Sequence, residues 1–278
     1  KTNSFAFQGV NGAYSEQAGK NVFPNASSVP CATFEEMFAC VRDGQADIAL
    51  VPIENSQAGR VADTQRLIPN SSLKIVGEFF LEVNHCLMAP KGSSMNAIKN
   101  VYSHEQAIAQ CRNNLIKSNK NMIIATDTAG AAKIVSELDN PNNAAIASEL
   151  AAKIYNLEII EPNFQDVQNN VTRFLIMGKD FADIKPEEKD IMTTLIFQVR
   201  SLPAALYKSL GGFASNGVNL TKLESYVHPQ GFDVAQFYID FEGHPEQKDV
   251  KLAMEEMKFF CKEVNILGIY KTSNFRKK

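Results

Sequence analysis

The sequence has 278 residues, enough for one large domain or two ordinary ones. Hydrophobic residues make up 45% and charged residues 21%, a globular balance, and the net charge is −3 with both signs mixed along the chain. This excludes a general nucleic-acid or membrane-surface binder, which would present a basic face. The five cysteines are scattered and never spaced as Cys-x-x-Cys, which predicts reduced thiols in a cytoplasmic protein and no zinc site. No apolar run has the length of a membrane span, and we expect the basic residues 276–278 to be a solvated terminus.

Strand-like and helix-like segments alternate through the first part of the chain. Strands are predicted at 4–7, 27–31, 48–53, 73–83, 100–102, 122–125, 144–146 and 172–177, and helices at 14–22, 34–42, 61–67, 106–113, 129–135 and 149–155. This alternation indicates βαβ units and mostly parallel sheets. The number and spacing of these elements favour two sheets. The chain is expected to pass from the first sheet to the second near 83–88, and the strand at 172–177 to return to the first. The prediction is therefore an α/β fold of two lobes with a ligand cleft between them.

A second part follows a charged segment at 180–190 that contains Pro186 and lacks apolar periodicity, as linkers do. Strands are predicted at 192–199, 218–227, 234–241 and 265–270, and helices at 204–213 and 250–261. The order βαββαβ is that of the ferredoxin-like motif.

Several loops that join a strand to a helix carry glycines or small polar residues, at 8–15, 52–56, 103–105 and 126–130. Helix starts present unpaired N–H groups, so several around one cleft form a good carboxylate or phosphate site. For any single loop, plain helix capping, which stabilises by about 1 kcal/mol, is the more common role. Arg173 has two equally open interpretations, a fork onto a ligand carboxylate or a pair with a local acid. The Gly-x-Gly-x-x-Gly, Walker, His-Glu-x-x-His and Gly-x-Ser-x-Gly motifs are missing, so we expect no cofactor and no metal.

Specific motifs then connect the chain to a known family. Residues 51–61 (VPIENSQAGRV), 102–107 (YSHEQA), 128–132 (TAGAA) and 170–174 (NVTRF) resemble motifs of the prephenate dehydratase family in order and spacing. The second part is similar to an ACT domain, the amino-acid-sensing module that commonly follows in that family. The resemblance implies a bilobal, periplasmic-binding-protein-like catalytic domain at 1–179, with one lobe at 1–83 and 160–179 and the other at 84–159. A linker at 180–190 and an ACT domain at 191–272 complete the implied organisation.

The resemblance implies a carbon–oxygen lyase that converts prephenate into phenylpyruvate, water and CO2 without a cofactor. It places the essential role on Thr172, and our hypothesis is that the Thr172 hydroxyl donates a hydrogen bond to the departing hydroxyl. His104 is a competing proton donor, and Glu54 either points away into the fold or donates a proton from a raised pKa. The remaining candidates for substrate binding are Ser15, Asn55, Ser56, Ser103, Thr128, Ala129 through its backbone N–H, Asn170, Arg173 and Phe174.

ACT domains are typically paired across subunits, which implies a homo-oligomer, a dimer or a tetramer, with phenylalanine as the effector. The candidate effector-binding residues are Ala204, Leu206, Asn219, Leu220, Glu224 and Ser225. Two departures weaken the expectation of phenylalanine control. The family's Glu-Ser-Arg-Pro motif reads Glu-Ser-Tyr-Val at 224–227, and its Gly-Ala-Leu position starts with Ala204.

Three alternatives remain at this point. An arogenate or mixed-specificity dehydratase would share these motifs, since arogenate carries an amine where prephenate has its side-chain ketone. A non-catalytic protein that binds a small acid would share the bilobal shell, although the Thr-Arg-Phe motif argues against it. A nicotinamide dehydrogenase is disfavoured by the missing glycine fingerprint.

Overall fold

The computed structural model describes residues 2–227 and 235–277. Over these residues the strands are β1 (Ser4–Gln8), β2 (Ser27–Cys31), β3 (Ile48–Asn55), β4 (Gly59–Arg60), β5 (Lys74–Glu82), β6 (Cys86–Ala89), β7 (Asn100–Ser103), β8 (Asn121–Ile124), β9 (Asn143–Ala147), β10 (Glu158–Glu161), β11 (Val171–Gly178), β12 (Ile191–Val199), β13 (Leu220–Val227), β14 (Ala235–Glu242) and β15 (Cys261–Lys271). The α-helices are α1 (Tyr14–Val22), α2 (Phe34–Arg42), α3 (Ala62–Leu67), α4 (Glu105–Gln110), α5 (Arg112–Lys117), α6 (Thr128–Leu138), α7 (Glu149–Ile154), α8 (Ala205–Ser215) and α9 (Lys248–Phe260). The chain groups into one unit of residues 1–64 and 79–174 and another of residues 65–78 and 175–278.

The first unit contains two sheets, as the alternation predicts. In one sheet β1 pairs in parallel with both β2 and β3, the short β4 folds back antiparallel onto β3, and β11 neighbours β3. Its strands bury side chains such as Phe5, Phe7 and Leu50 completely. The carboxyl ends of these parallel strands point to the same edge of the sheet, where β3 extends beyond β1 as far as Asn55.

The other sheet has the order β10-β6-β9-β7-β8 and is mixed. β7 pairs in parallel with β8 and β9, whereas β6 is antiparallel to both β9 and β10. The short strands β4, β6 and β10 were not predicted from the sequence. The single helix predicted at 106–113 is wrong, since the chain forms α4 and α5 with Cys111 at φ −114° between them.

The two sheets of this unit are joined by contacts of the loop that follows β1. The Ser148 hydroxyl donates to the Gly12 carbonyl at 2.6 Å and also caps α7 by accepting from the Ala151 N–H at 3.0 Å. A Cβ atom on Gly12 would come within 2.9 Å of Ala151 Cα, and Gly12 has φ +91°. Only glycine fits both the close approach and the backbone angle, so this glycine serves packing rather than ligand binding.

The second unit has the predicted order βαββαβ. Its strands β13, β14, β12 and β15 form an antiparallel sheet, and α8 and α9 pack on one face over a core that includes Leu195, Phe213 and Ile239. β5 continues the sheet in parallel with β15, with Ile75 opposite Gly268. A Cβ atom on Gly268 would lie 2.3 Å from the Ile75 carbonyl oxygen, so the approach of the two strands requires glycine. The predicted start of β14 at Val234 lies outside the described residues.

The prediction of a solvated basic terminus is wrong for Arg276, whereas Lys277 is half exposed and Lys278 lies outside the described residues. Arg276 forms a bidentate ion pair with the fully buried carboxylate of Glu78, at 2.6 and 2.9 Å. The Ser273 N–H adds a third hydrogen bond to this carboxylate at 3.0 Å. A buried carboxylate requires such partners, and Glu78 therefore anchors the tail. Over the described residues, no helix combines the length and hydrophobicity that crossing a bilayer requires.

Candidate active site

A cleft of about 350 Å³ opens in the first unit, where polar residues end the strands and begin the helices of both sheets. The candidates that line it are Ser15, Asn55, Thr128, Asn170, Thr172 and Phe174, with His104 beside them. Further lining residues are Tyr14, Pro52, Ala58, Gly59, Arg60, Val61, Val83, His85, Gln106, Ala107 and Gln110. Motifs separated by more than a hundred residues in sequence therefore meet at one cavity, as the strand-end argument predicts.

Asn55 is the centre of a hydrogen-bonded group at the floor of the cleft. Its side-chain Oδ1 accepts from the backbone N–H groups of Gln57 and Ala58, at 3.0 and 2.8 Å. Its Nδ2 donates to Asn170 Oδ1 at 2.6 Å and to Thr172 Oγ1 at 2.9 Å. Because backbone N–H groups can only donate, they fix which end of the Asn55 amide is the oxygen. Both Nδ2 hydrogens are then committed to Asn170 and Thr172.

This orientation determines the next three groups in turn. Asn170 accepts through Oδ1, so its Nδ2 donates to Gln110 Oε1, at 3.0 Å. Gln110 Oε1 also lies 2.7 Å from His85 Nε2, and since it can only accept, His85 Nε2 carries a hydrogen. In neutral His85 the other nitrogen, Nδ1, then accepts from the Tyr14 hydroxyl at 2.7 Å. Burial lowers the pKa of His85 below its ordinary value, which favours this neutral form.

The direction of these hydrogen bonds makes the Thr172 hydroxyl an acceptor toward Asn55. Thr172 Oγ1 uses a lone pair to accept from Asn55, so its own hydrogen is available to a ligand in the cleft. A hydroxyl held by a neighbouring donor is a preorganised hydrogen-bond donor, the type of group that stabilises developing negative charge.

Arg173 and Glu54 lie apart from the cleft. Arg173 is only 2% exposed, and its Nη1 lies 3.1 Å from Glu54 Oε1. Its guanidinium also stands over the Phe80 ring at 6.0 Å. Neither residue is among the described residues that line the cavity. The pairing favours the structural interpretation of both side chains, an arginine matched with a local acid and a glutamate directed into the fold.

Three other candidates serve the framework around the cleft. Ser56 Oγ donates to the Asn169 carbonyl at 3.1 Å and accepts from the Val171 N–H at 2.9 Å, which ties β3 to β11. Ser103 is fully buried and donates to the Ile146 carbonyl at 2.6 Å, between β7 and β9. Ala129 is fully buried in the first turn of α6, whose cap Asp127 accepts from the Gly130 N–H at 2.6 Å. Over the described residues, these three do not line the cavity with the others.

Four residues that line the cleft were not predicted from the sequence, namely Tyr14, Arg60, His85 and Gln110. Three of them complete the hydrogen-bonded chain behind Thr172, and Arg60 lines the cleft. His85 directly precedes the short strand β6, so finding that strand would have identified the histidine. Arg60 lies within a recognised motif and Gln110 lies just after one. Arg60 reaches the cleft through the β3–β4 hairpin and Gln110 through the direction of α4, and neither feature was predicted from the sequence.

The candidate effector residues of the second unit are only partly brought together. Ala204 and Leu206 line a cavity of about 590 Å³, together with Arg200, Phe237 and Lys262. Asn219, Leu220, Glu224 and Ser225 lie in or next to β13 and do not line this cavity in the described chain. Glu224 accepts from Lys222 Nζ at 3.1 Å. The side chains of Tyr226 and Val227, which mark the departure from the family motif, lie outside the described residues.

Among the described residues, no group of three or more His, Cys, Asp or Glu side chains is placed to hold a metal. All five cysteines are free thiols in buried positions. Burial raises the pKa of Cys31 and Cys111 to about 12, so neither thiol is an activated nucleophile.

Two known proteins resemble the chain over nearly its whole length. A bifunctional N-acyl-homoserine lactone acylase/prephenate dehydratase of Komagataeibacter europaeus is 43% identical over 98% of this chain and 97% of that protein. An arogenate dehydratase/prephenate dehydratase of Arabidopsis thaliana is 38% identical, over 95% of this chain and 72% of that protein.

Solved structures show the same α/β fold. One described as GqqA, a novel type of quorum quenching acylases, superposes with a TM-score of 0.93 at 42% identity, covering 99% of this chain and all of that one. The prephenate dehydratase of Arthrobacter aurescens in complex with L-Phe superposes with a TM-score of 0.86 at 30% identity, covering 96% of this chain and 89% of that one. A model of the family described as prephenate dehydratase matches residues 5–182. The chain therefore belongs to the prephenate dehydratase family of carbon–oxygen lyases.

Proposed function

We propose that this chain converts prephenate into phenylpyruvate, water and CO2. The observation that carries the proposal is the Thr172 hydroxyl, held by Asn55 in a cleft whose described lining contains no carboxylate side chain. Prephenate is a dianion, and a cavity without acidic groups is compatible with two negative charges. Carboxylates of the substrate are accommodated by amide, hydroxyl and cationic groups of the lining.

The reaction breaks two bonds of the cyclohexadiene ring. The bond between the ring and its carboxylate breaks with release of CO2, and its electron pair enters the ring. The bond between the ring and the hydroxyl breaks on the opposite side, and the oxygen leaves with a pair of electrons. The departing hydroxide takes up one proton, from His104 or from solvent, to become water, and formation of the aromatic ring supplies the driving force.

The role of Thr172 follows from this charge flow. The departing oxygen gains negative charge in the transition state, and a hydroxyl aimed at it stabilises that state more than the ground state. Asn55 positions the Thr172 oxygen. The hydrogen bonds that continue through Asn170, Gln110 and His85 fix which group donates and which accepts along the chain.

His104 is a second candidate proton donor in the same cleft. It caps α4, and its Nδ1 accepts from the Gln106 N–H at 3.3 Å, which leaves the hydrogen of neutral His104 on Nε2. A rate that falls above neutral pH in the parent and becomes flat in His104→Gln would assign proton donation to His104. A pH profile that is the same in both proteins would rule out His104 as the proton donor.

We further propose that residues 1–179 form the catalytic domain, 180–190 a linker and 191–272 an ACT domain that binds phenylalanine as a feedback effector. The order βαββαβ of the second unit and the cavity beside Ala204 and Leu206 support this proposal. The related Arthrobacter aurescens enzyme was crystallised with L-Phe. ACT domains usually pair across subunits, so the proposal includes a homodimer or homotetramer. Calorimetry with phenylalanine tests it, and a lack of binding heat would remove the regulatory part alone.

The test of activity offers prephenate and arogenate separately to the purified protein and follows the aromatic product by absorbance, with and without phenylalanine. Turnover of prephenate that phenylalanine reduces is the expected result. Turnover of arogenate at a similar efficiency would favour the mixed-specificity alternative, to which the Arabidopsis relative belongs by name. Binding of prephenate without product would favour the non-catalytic alternative.

The name of one relative suggests that a second activity, hydrolysis of N-acyl-homoserine lactones, should also be tested. The Komagataeibacter europaeus relative combines an acylase with a prephenate dehydratase in its name and is 43% identical over nearly the full length of both proteins. An N-acyl-homoserine lactone is therefore offered as a third substrate, with release of the free amine as the measure of hydrolysis.

A further inference from the structure

Tyr14 and His85 form a pair at the far end of the hydrogen-bonded group that holds Thr172. Their rings meet edge to face with the centroids 5.6 Å apart, and the Tyr14 hydroxyl lies 2.7 Å from His85 Nδ1. On the other side of the ring, His85 Nε2 lies 2.7 Å from Gln110 Oε1. Both ring nitrogens of His85 therefore have protein partners, and neither is left to bind a ligand.

The backbone holds His85 in this place. Its N–H donates to the Gln165 side chain at 2.9 Å, and its carbonyl accepts from the Phe164 N–H at 2.7 Å. Two residues earlier, the Val83 N–H donates to the Asn170 carbonyl at 2.7 Å. The histidine is thereby fixed relative to Asn170, a member of the group that it orients.

The position of one hydrogen on His85 decides whether the group keeps its order. The Tyr14 hydroxyl has two acceptors within reach, His85 Nδ1 at 2.7 Å and the Asn84 carbonyl at 3.1 Å. Donation to the nearer acceptor leaves the hydrogen of neutral His85 on Nε2, where the Gln110 oxygen needs a donor. The other tautomer would set a lone pair of Nε2 against Gln110 Oε1. Desolvation raises the pKa of Tyr14, so the hydroxyl keeps its hydrogen.

We propose that Tyr14 and His85 are positioning residues, which keep the Thr172 hydroxyl directed as a donor into the cleft. This inference rests on the proposed function. The pair acts through Gln110, whose oxygen accepts from Asn170 and so directs the Asn170 oxygen toward the amide that binds Thr172. Because a misplaced donor stabilises the transition state poorly, loss of this support should lower kcat for prephenate and leave KM nearly unchanged.

The test measures kcat and KM for prephenate in the parent, His85→Asn, His85→Gln and Tyr14→Phe. Asparagine replaces only the Nδ1 side of the ring and leaves Gln110 without a donor, so kcat should fall about 10–100-fold. Glutamine places an amide nitrogen as far along the side chain as Nε2, so it should recover most of that loss. Tyr14→Phe removes only the hydroxyl that sets the tautomer, and kcat should fall about three- to tenfold.

Two replacements of the same kind outside the cleft are the controls. Tyr155→Phe removes a hydroxyl that donates to the Asn11 carbonyl at 2.7 Å, and His244→Asn replaces a buried histidine whose Nδ1 accepts from the Glu246 N–H at 3.1 Å. Neither residue is among the described residues that line the cavity, so kcat should stay close to that of the parent. Unfolding curves establish that each variant is folded in the assay, and Tyr14→Phe provides the same comparison if His85→Asn does not fold.

A double replacement separates positioning from a general loss of structure. If the pair acts through the Thr172 hydroxyl, His85→Asn should lower kcat by less than about threefold in a Thr172→Val background. An unchanged kcat in His85→Asn, a rise in KM alone, or equal losses in the two backgrounds would overturn the inference. So would controls that lose as much activity, or a Thr172→Val variant that keeps the kcat of the parent. A parent that turns over no prephenate would instead refute the proposed function, on which the inference rests.

Discussion

The side-chain amide of Asn55 donates a hydrogen bond of 2.9 Å to the hydroxyl oxygen of Thr172. The direction of this bond is set by the backbone, since the N–H groups of Gln57 and Ala58 occupy the other end of the Asn55 amide. Thr172 is consequently a donor toward the cleft, and a weakly acidic hydroxyl can assist the reaction without giving up its proton.

Thr172→Val should therefore lower kcat for prephenate by about 10²–10³, the usual cost of removing one donor to developing negative charge. Valine keeps the shape of threonine but not its hydroxyl, so KM should change little. Thr172→Ser, which keeps the hydroxyl, should retain activity within about tenfold of the parent. Steady-state kinetics on both variants, with an unfolding curve for each, measures the effect. Turnover of the valine variant within a few-fold of the parent would show that Thr172 has another role.

The burial of His85 predicts a pH dependence of stability. Desolvation lowers the pKa of His85 in the folded chain, whereas in the unfolded chain it titrates near 6.5. Below that pH the unfolded state binds the proton more readily, so stability should be constant above about pH 6.5 and should fall as the pH drops toward the folded pKa.

Urea unfolding at pH 7.5 and 5.5 measures this loss, which should be smaller in His85→Gln than in the parent. His104→Gln is the matched control, because it makes the same replacement at a partly exposed histidine of the same cleft. An identical loss in the His85→Gln variant and the parent would show that other groups govern the acid sensitivity.

Elements with strong local signals were predictable from the sequence. The helices α1 and α2 and the strand β2 begin and end where their patterns indicate, because each combines apolar periodicity with a clear boundary. The helix at 106–113 failed because apolar spacing continues through Cys111, and only the backbone angle at that residue separates α4 from α5.

Some candidate side chains line the cleft, whereas others are kept out of it by burial or by the direction of the side chain. Asn55 ends β3 and Thr172 lies at the start of β11, and the two side chains meet at 2.9 Å. Ser103 ends a strand as well, yet its hydroxyl turns to the Ile146 carbonyl, a choice that local sequence does not encode. The Arg173–Glu54 pair joins residues 119 positions apart, so its existence depends on the neighbouring positions of β3 and β11.

The ion pair between Arg276 and the buried Glu78 predicts a large loss of stability when Arg276 is replaced. Arg276→Ala would leave the buried Glu78 carboxylate without its bidentate partner, and removing one partner of a buried pair typically costs about 3–5 kcal/mol. Because a quarter of the Arg276 side chain is exposed, we expect a loss near the lower end of that range.

Lys277→Ala is the control, since Lys277 and its partner Asp190 are both half exposed and surface pairs contribute little to stability. Denaturant unfolding of both variants checks the difference. Equal, small losses in the two variants would mean that water replaces Arg276 around Glu78.

The backbone conformation of Ala204 predicts that glycine at this position, which the resemblance to ACT domains implies, would stabilise the chain. The residue precedes α8 with φ +57° and ψ +29°, a left-handed conformation that costs a non-glycine residue about 1–2 kcal/mol. Ala204→Gly removes this strain but increases the freedom of the unfolded chain, so a net gain of about 0.5–1 kcal/mol is expected. Ala205→Gly, one residue further into the helix, should instead destabilise by about 1 kcal/mol. Thermal and urea unfolding of the pair distinguish the two signs, and a loss of stability in Ala204→Gly would show that the methyl group makes compensating contacts beside the cavity it lines.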